Sequence, residues 1–149
     1  MKFIQAVVAS GALAMSGAAF ADERKDQVEA FMADYLRAWN AHDAATIVER
    51  FYRLDGDHRW SAKEGLQAEF DRLKSQGYDR SEIQSITGCI LGPDTAQAEL
   101  RYIRLKTDGS FMPPKDRISV YQLRLFPDGW RATGFAALAA GAKMECPAS

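Results

Sequence analysis

The chain is poor in the residues from which metal and redox centres are built, with two cysteines and two histidines in 149 positions. It has no C-x-x-C pair, so dithiol redox chemistry is not indicated. There is no H-x-H or H-E-x-x-H spacing to hold zinc, and Asp55, Asp57 and His58 do not satisfy the calcium-loop pattern. A glycine-rich phosphate loop and a G-x-S-x-G elbow are also missing, which removes P-loop nucleotide hydrolysis and serine-hydrolase chemistry. No metal and no cofactor are therefore expected. Charge of one sign is lacking too: 19 Lys and Arg against 20 Asp and Glu give a net −1, and the basic residues are interleaved with acids. Without a basic stripe to track a phosphate backbone, nucleic acid is not an expected partner.

One long apolar run is present, from Phe3 to Phe20 behind Met1-Lys2, and it carries no charge. Ala19 and Ala21 stand at −3 and −1 of an A-x-A cleavage site, so residues 1–21 read as a secretory signal peptide. The competing reading, a retained anchor, is opposed by the Ala, Gly and Ser content and by the lack of a positive stop-transfer cluster. No stable membrane insertion is expected after cleavage, and the product is expected to be periplasmic or secreted. Residues 22–149 suit a single compact domain with its own core. Cys89 and Cys146 would meet an oxidising compartment, where a bridge between them would pin the tail "GAKMECPAS". Two independent thiols are the alternative.

Val28, Phe31, Met32, Tyr35, Leu36 and Trp39 recur at helical spacing, and Asn40 can close that helix. Asp43 is a plausible N-cap for a second helix from Ala44 to about Tyr52, burying Ile47, Val48 and Phe51. "RLDGDHRW" reads as a turn-rich segment. A third helix is expected from Ser61, with Glu64 completing a capping box, Leu66, Phe70 and Leu73 inside, and Gly77 at its end. After Gly77 the period changes to that of strands. Ser81 to Leu91 is β-branched, with a slip in alternation near Ser85–Ile86 that suggests a bulge. Ala96, Ala98, Leu100, Tyr102 and Arg104 share one face of the next strand, with Ile103 and Leu105 on the other. Arg117 to Phe126 and Trp130 to Phe135 complete the set, with Asp-Gly turn signals between strands. Helices first and hairpin-linked strands afterwards imply an α+β fold.

The combination "YLRAWNAHDAATIVERFY", a loop, a third helix and long strands with a late one ending before "PDGW" resembles the nuclear transport factor 2-like superfamily. Its SnoaL-like and ketosteroid-isomerase-like branches are most similar. The resemblance implies a cone-shaped, curved antiparallel sheet wrapped around three N-terminal helices. It places Tyr35 where the isomerase branch keeps its oxyanion-stabilising tyrosine. Arg59 stands at the branch's basic aspartate, with Asp55, Asp57 and His58 beside it, and Tyr121 stands at the branch's protonated aspartate. It also implies a homodimer through the sheet, with Ile103 and Leu105 or the opposite face left to be covered.

Tyr35, Asp57, His58 and Tyr121 are the candidate catalytic residues. Tyr35, Trp39, His58, Trp60, Tyr102 and Tyr121 are the candidate lining of a ligand pocket. A buried phenol needs a partner, which either a pocket or a backbone carbonyl can supply. Asp57–His58 could titrate near neutrality or be an exposed turn. His42 reads as a corner residue and Arg104 most simply as a surface arginine. Two functions stay open: a non-catalytic module binding a small, partly apolar ligand or a protein partner, and an isomerase, dehydratase or cyclase using acid/base chemistry. The displaced base favours the first. The export reading is checked by N-terminal sequencing of periplasmic protein, where Asp22 is the expected first residue. Full-length chain recovered only from the cytoplasm would count against it.

Overall fold

In the computed structural model, residues 17–54 and 58–147 are described, the side chains of 58–61 excepted. The order is α1 (Gly17–Asn40), α2 (Ala44–Thr46) continued by a π-helical turn (Ile47–Phe51), α3 (His58–Ser75), then β1 (Tyr78–Ile90), β2 (Thr95–Lys106), β3 (Arg117–Phe126) and β4 (Gly129–Leu138). The strands form one antiparallel sheet in the order β1-β2-β3-β4. Register shifts fall in β1 between Tyr78 and Arg80 and between Ile83 and Ser85, the latter beside the expected slip, and between β3 and β4 at Gln122/Leu123. Such bulges increase local twist and bend a sheet, and the concave face holds the helices. The architecture is the α+β one expected, three helices followed by a curved sheet.

The core lies between α1 and the concave face. Val28, Met32, Tyr35 and Leu36 of α1 meet Ala96, Ala98 and Leu100 of β2, Tyr121 and Leu123 of β3, and Trp130 and Ala132 of β4. Small residues on β2 let the helix approach. The same holds at Gly88 of β1, where an added Cβ would sit 3.3 Å from atoms of Lys25 and Glu29. There the Glu29 carboxylate accepts the Gly88 N–H at 2.9 Å. Truncating a fully buried residue such as Met32 to alanine would cost about 2–5 kcal/mol.

The corner after α1 is held by hydrogen bonds rather than by packing alone. Asn40 docks on Ser81 of β1: its Oδ1 accepts the Ser81 N–H and its Nδ2 donates to the Ser81 carbonyl, each at 2.9 Å. The Trp39 indole donates to the Tyr78 hydroxyl at 2.9 Å, which lies 2.7 Å from Ser81 Oγ. His42 adopts a left-handed φ of 55°, and its Nε2 lies 3.0 Å from the Asp79 carbonyl, with the ring between Phe70 and Tyr78. It is a corner residue, as its position suggested. Asp43 caps α2 through the Thr46 N–H at 3.0 Å.

The convex face is closed by the C-terminal tail. After β4 the chain runs back across β2, where the Arg101 guanidinium donates to the Ala142 carbonyl and buried Glu99 accepts the Met144 N–H at 2.6 Å. Cys146 then bridges to Cys89 on β1, with Cα atoms 5.7 Å apart. A link across 57 residues contributes about 4 kcal/mol in the chain-entropy model.

Three details differ from expectation. The second helix widens into a π turn after Thr46, which lets Val48 and Tyr52 line the concave side while Ile47 and Phe51 enter the core. The third helix starts at His58, so Ser61 lies in its first turn rather than capping it. Ile103 and Leu105 are already buried within the single chain. Replacing Asn40 by alanine leaves the Ser81 N–H and carbonyl without their partner. A loss of about 1–3 kcal/mol in urea unfolding is expected, and an unchanged midpoint would show that this corner carries little.

Candidate functional site

A cavity of about 560 Å³ opens between the concave sheet and the helices. Tyr35 and Trp39, one turn apart on α1, form one wall, and Val48, Tyr52 and Leu54 continue it. From α3 come Ala62, Gly65, Leu66 and Glu69, at the spacing of one helix face. The sheet supplies Tyr102 and Arg104 from β2, Arg117, Ser119 and Tyr121 from β3, and Phe135 and Ala137 from β4. These follow from register: Tyr102 pairs with Arg117, Ala98 with Tyr121, and Tyr121 with Phe135, so alternate residues share the concave face.

A cluster of phenols sits at the inner end. The ring centroids of Tyr35 and Tyr121 are 5.2 Å apart and those of Tyr35 and Tyr52 6.2 Å, both edge-on. The Tyr35 and Tyr121 hydroxyls lie 3.5 Å apart, at the outer limit of a hydrogen bond. Burial pushes both phenols well above the ordinary tyrosine range, and the neighbouring phenols push Tyr35 further. Both remain neutral O–H donors at physiological pH. Burial likewise raises Tyr52.

The sheet side is charged. The Arg104 residue is only 9 % exposed, and its guanidinium carbon lies 5.6–5.9 Å from the ring centroids of Tyr78, Trp39 and Tyr102. Arg117 donates to the Pro113 carbonyl at 2.7 Å. Burial, and then the like charge of Arg104, lowers its pKa. The carboxylate lining the cavity, Glu69, is engaged by Arg72 at 2.7 and 2.8 Å and is held below the usual carboxylate range chiefly by that contact.

Of the residues singled out from sequence, the fold brings Tyr35, Trp39, Tyr102 and Tyr121 around this cavity. Asp55 and Asp57 lie outside the described residues, and of His58, Arg59 and Trp60 only the helical backbone is described. Arg104 is not a surface residue: β2 alternation puts it on the concave face with Tyr102. Arg117 was overlooked, although it shares the parity of Ser119 and Tyr121. Phe135 could not be found by alternation, because the shift at Gln122/Leu123 changes which residues of β4 face inward: Trp130 and Ala132 before it, Phe135 and Ala137 after. Tyr52 gave no signal beyond following a helical face.

A second concavity of about 700 Å³ lies on the convex side, between the tail and Thr87 and Glu99. Its buried charge, Glu99, is already satisfied by Met144 and Arg101, so this is a structural seam. Among the described residues, no group of three or more His, Cys, Asp or Glu side chains is placed to hold a metal ion.

A family model described as NTF2-like protein (DUF6841) matches residues 57–140. No curated protein matches the chain. Among solved structures, an NTF2-like protein with a cystatin-like fold from Novosphingobium aromaticivorans is 20 % identical, covering 84 % of this chain and 87 % of that one, with a TM-score of 0.61. A protein of unknown function from Mycobacterium tuberculosis is 15 % identical over 84 % of this chain and 76 % of its own, with a TM-score of 0.65. A ketosteroid isomerase-like protein from Erwinia carotovora atroseptica is 16 % identical over 76 % and 94 %, with a TM-score of 0.54. At such identities these likenesses concern the fold alone.

The phenol cluster has a consequence for alkaline stability. Tyr35 and Tyr121 hold their protons more tightly folded than unfolded. Their contribution is therefore complete below about pH 10 and is lost as pH rises above it. The urea midpoint is expected to fall between about pH 9 and about pH 12, and to fall less in the Tyr35→Phe/Tyr121→Phe variant. Identical pH profiles would show that these phenols ionise as freely folded as unfolded.

Proposed function

The chain belongs to the NTF2-like protein family, and from that premise we propose that it is an exported protein holding a small, partly apolar ligand in the concave cavity without transforming it. The observation that carries this reading is the chemistry of the lining. Tyr35, Trp39, Leu66, Tyr102 and Phe135 supply apolar surface, and a cavity of about 560 Å³ is in the range of small-molecule sites. The polar groups are donors and cations: neutral phenols, Ser119, Arg104 and Arg117. A general base needs a pKa near working pH, yet Glu69 is tied to Arg72 and kept anionic. The described residues thus offer recognition and lack a poised base. The charge-free N-terminal run and the Cys89–Cys146 bridge are compatible with an oxidising destination. No described helix is long and apolar enough to cross a membrane.

One observation favours a second reading. Two neutral phenols facing one cavity are what a developing enolate oxygen needs, so an isomerase, dehydratase or cyclase would use Tyr35 and Tyr121 as donors. Its base would have to come from Asp57 or His58.

Gly65 provides the test. It lines the cavity from α3, and an added Cβ there meets no heavy atom within 4 Å. Leucine at this position is expected to gain about 0.5–1 kcal/mol of helix propensity while its side chain takes up ligand space. Wild-type protein should quench its tryptophan fluorescence saturably with members of a panel of neutral and acidic bicyclic aromatics. Gly65→Leu should be at least as stable and fail to bind them. If no panel member binds wild type, or if Gly65→Leu binds as well, the cavity is not the site. Turnover of a bound compound, lost in His58→Ala, would favour the second reading.

A further inference from the structure

Arg104 and Arg117 form a cationic pair inside the cavity, with Glu69 as a more distant counter-charge that they share with Arg72. Tyr102 is the register partner of Arg117, and Arg104 lies two residues beyond Tyr102 on the same face. The two arginines are thus diagonal neighbours across adjacent strands. Each has its Nε atom buried without a hydrogen-bond partner. Among the described residues, neither has a carboxylate within 4 Å: Glu69 bonds Arg72, and the remaining ion pairs involve other arginines and lysines. The partners of Arg104 are aromatic faces, Trp39, Tyr78 and Tyr102.

Burying a charge without a carboxylate in contact is costly, and a like charge beside it adds to the cost. Stacking on aromatic rings offsets part of that cost, but it leaves the in-plane N–H donors unused. Those donors form a fork suited to a planar anion with two oxygens. Opposite them stand the apolar walls, Tyr35, Leu66 and Phe135, the last 62 % exposed at the opening. Resting on the binding reading above, we propose that the ligand is an amphiphilic organic acid. Its carboxylate pairs with Arg104 and Arg117, and its aromatic or alicyclic body packs against Tyr35, Leu66 and Phe135.

The pair of probes that decides this is naphthoate and naphthamide, which share a body and differ in charge. Naphthoate is expected to bind wild type about tenfold or more tighter than naphthamide, as a charge-assisted fork contact implies. Arg104→Gln and Arg117→Gln should each reduce the preference, and the double variant should bind both probes alike. A second measurement separates recognition from a structural role. Without ligand, Arg104→Met should unfold at the same or higher temperature than wild type, because it removes a buried charge that no described carboxylate contacts. Naphthoate should raise the wild-type midpoint more than that of Arg104→Met, and naphthamide should raise the two alike. Equal affinity of wild type for the two probes overturns the anion assignment while leaving the cavity as the ligand site. Binding of neither, together with none of the neutral panel, overturns both. A lowered melting temperature of unliganded Arg104→Met makes Arg104 a structural residue and also overturns the assignment.

Discussion

The attachment of the end of α1 to β1 is the constraint on which the concave side depends. Asn40 satisfies the backbone of Ser81 on both sides, much as a neighbouring strand would. Trp39 reaches the Tyr78 hydroxyl beside it. These contacts fix the axial position and rotation of α1 at the end where Tyr35 and Trp39 turn inward. At the other end, Gly88 and Glu29 set how closely the helix lies on the strand. Side-chain hydrogen bonds at both ends, with the core packing of Val28, Met32 and Leu36 between them, set the position of the cavity wall. The same junction holds Arg104, which stacks on Trp39 and Tyr78, and so it positions the cationic side of the cavity as well.

The two faces of the sheet do different physical work. On the convex face the polar groups are matched: Glu99 with Met144 and Arg101, Arg101 with Ala142, and the tail held by the Cys89–Cys146 bridge. On the concave face they are not. Phenols lie at marginal hydrogen-bonding distance from one another, and the Nε atoms of two guanidiniums are buried without acceptors. Native interiors hold few such groups, and Arg53 Nε and Trp130 Nε1, outside the cavity lining, are in the same state. The stability supplied by the covalently tied convex side and the core on Met32, Ile47 and Leu100 accommodates a cavity that is poorly optimised for folding.

Much of the architecture was legible because it follows from periodicity. The helical face from Val28 to Trp39 and the parity of Ala98, Leu100 and Tyr102 required only counting, as did that of Tyr121 and Leu123. Asp43, Gly77 and the Asp-Gly turns marked their boundaries through local backbone chemistry. The rest of the cavity was hidden for two reasons. A shift at Gln122/Leu123 reverses the alternation of β4, so Phe135 faces inward at a position that simple counting assigns outward. Local pattern also cannot tell a buried arginine from a surface one. Arg104 and Arg117 occupy inward positions of their strands, but the usual placement of arginine at the surface argued the other way. The pairing of Cys89 with Cys146 was suggested by compartment and by a tail with little else to order it, and the path of that tail brings the two together.

An oxyanion site and a carboxylate site make opposite demands on the same donors. A catalytic oxyanion hole must prefer a charge that develops during reaction over one already present. A cavity with two cations beside its phenols instead stabilises a ligand that arrives charged, and that favours the ground state. Here the phenols face one another at one end while the guanidiniums stand on β2 and β3, electrostatically coupled to Glu69. An organic acid paired to Arg104 and Arg117 would present its apolar body, not its carboxylate, to Tyr35. The hydroxyls of Tyr35 and Tyr121 would then read a second polar group on that body, such as a ketone or hydroxyl, or remain satisfied by each other. In that proposed arrangement Tyr35, which resembles a catalytic residue of the isomerases, would serve selectivity, through the cost of leaving its donor unpaired when the wrong ligand enters.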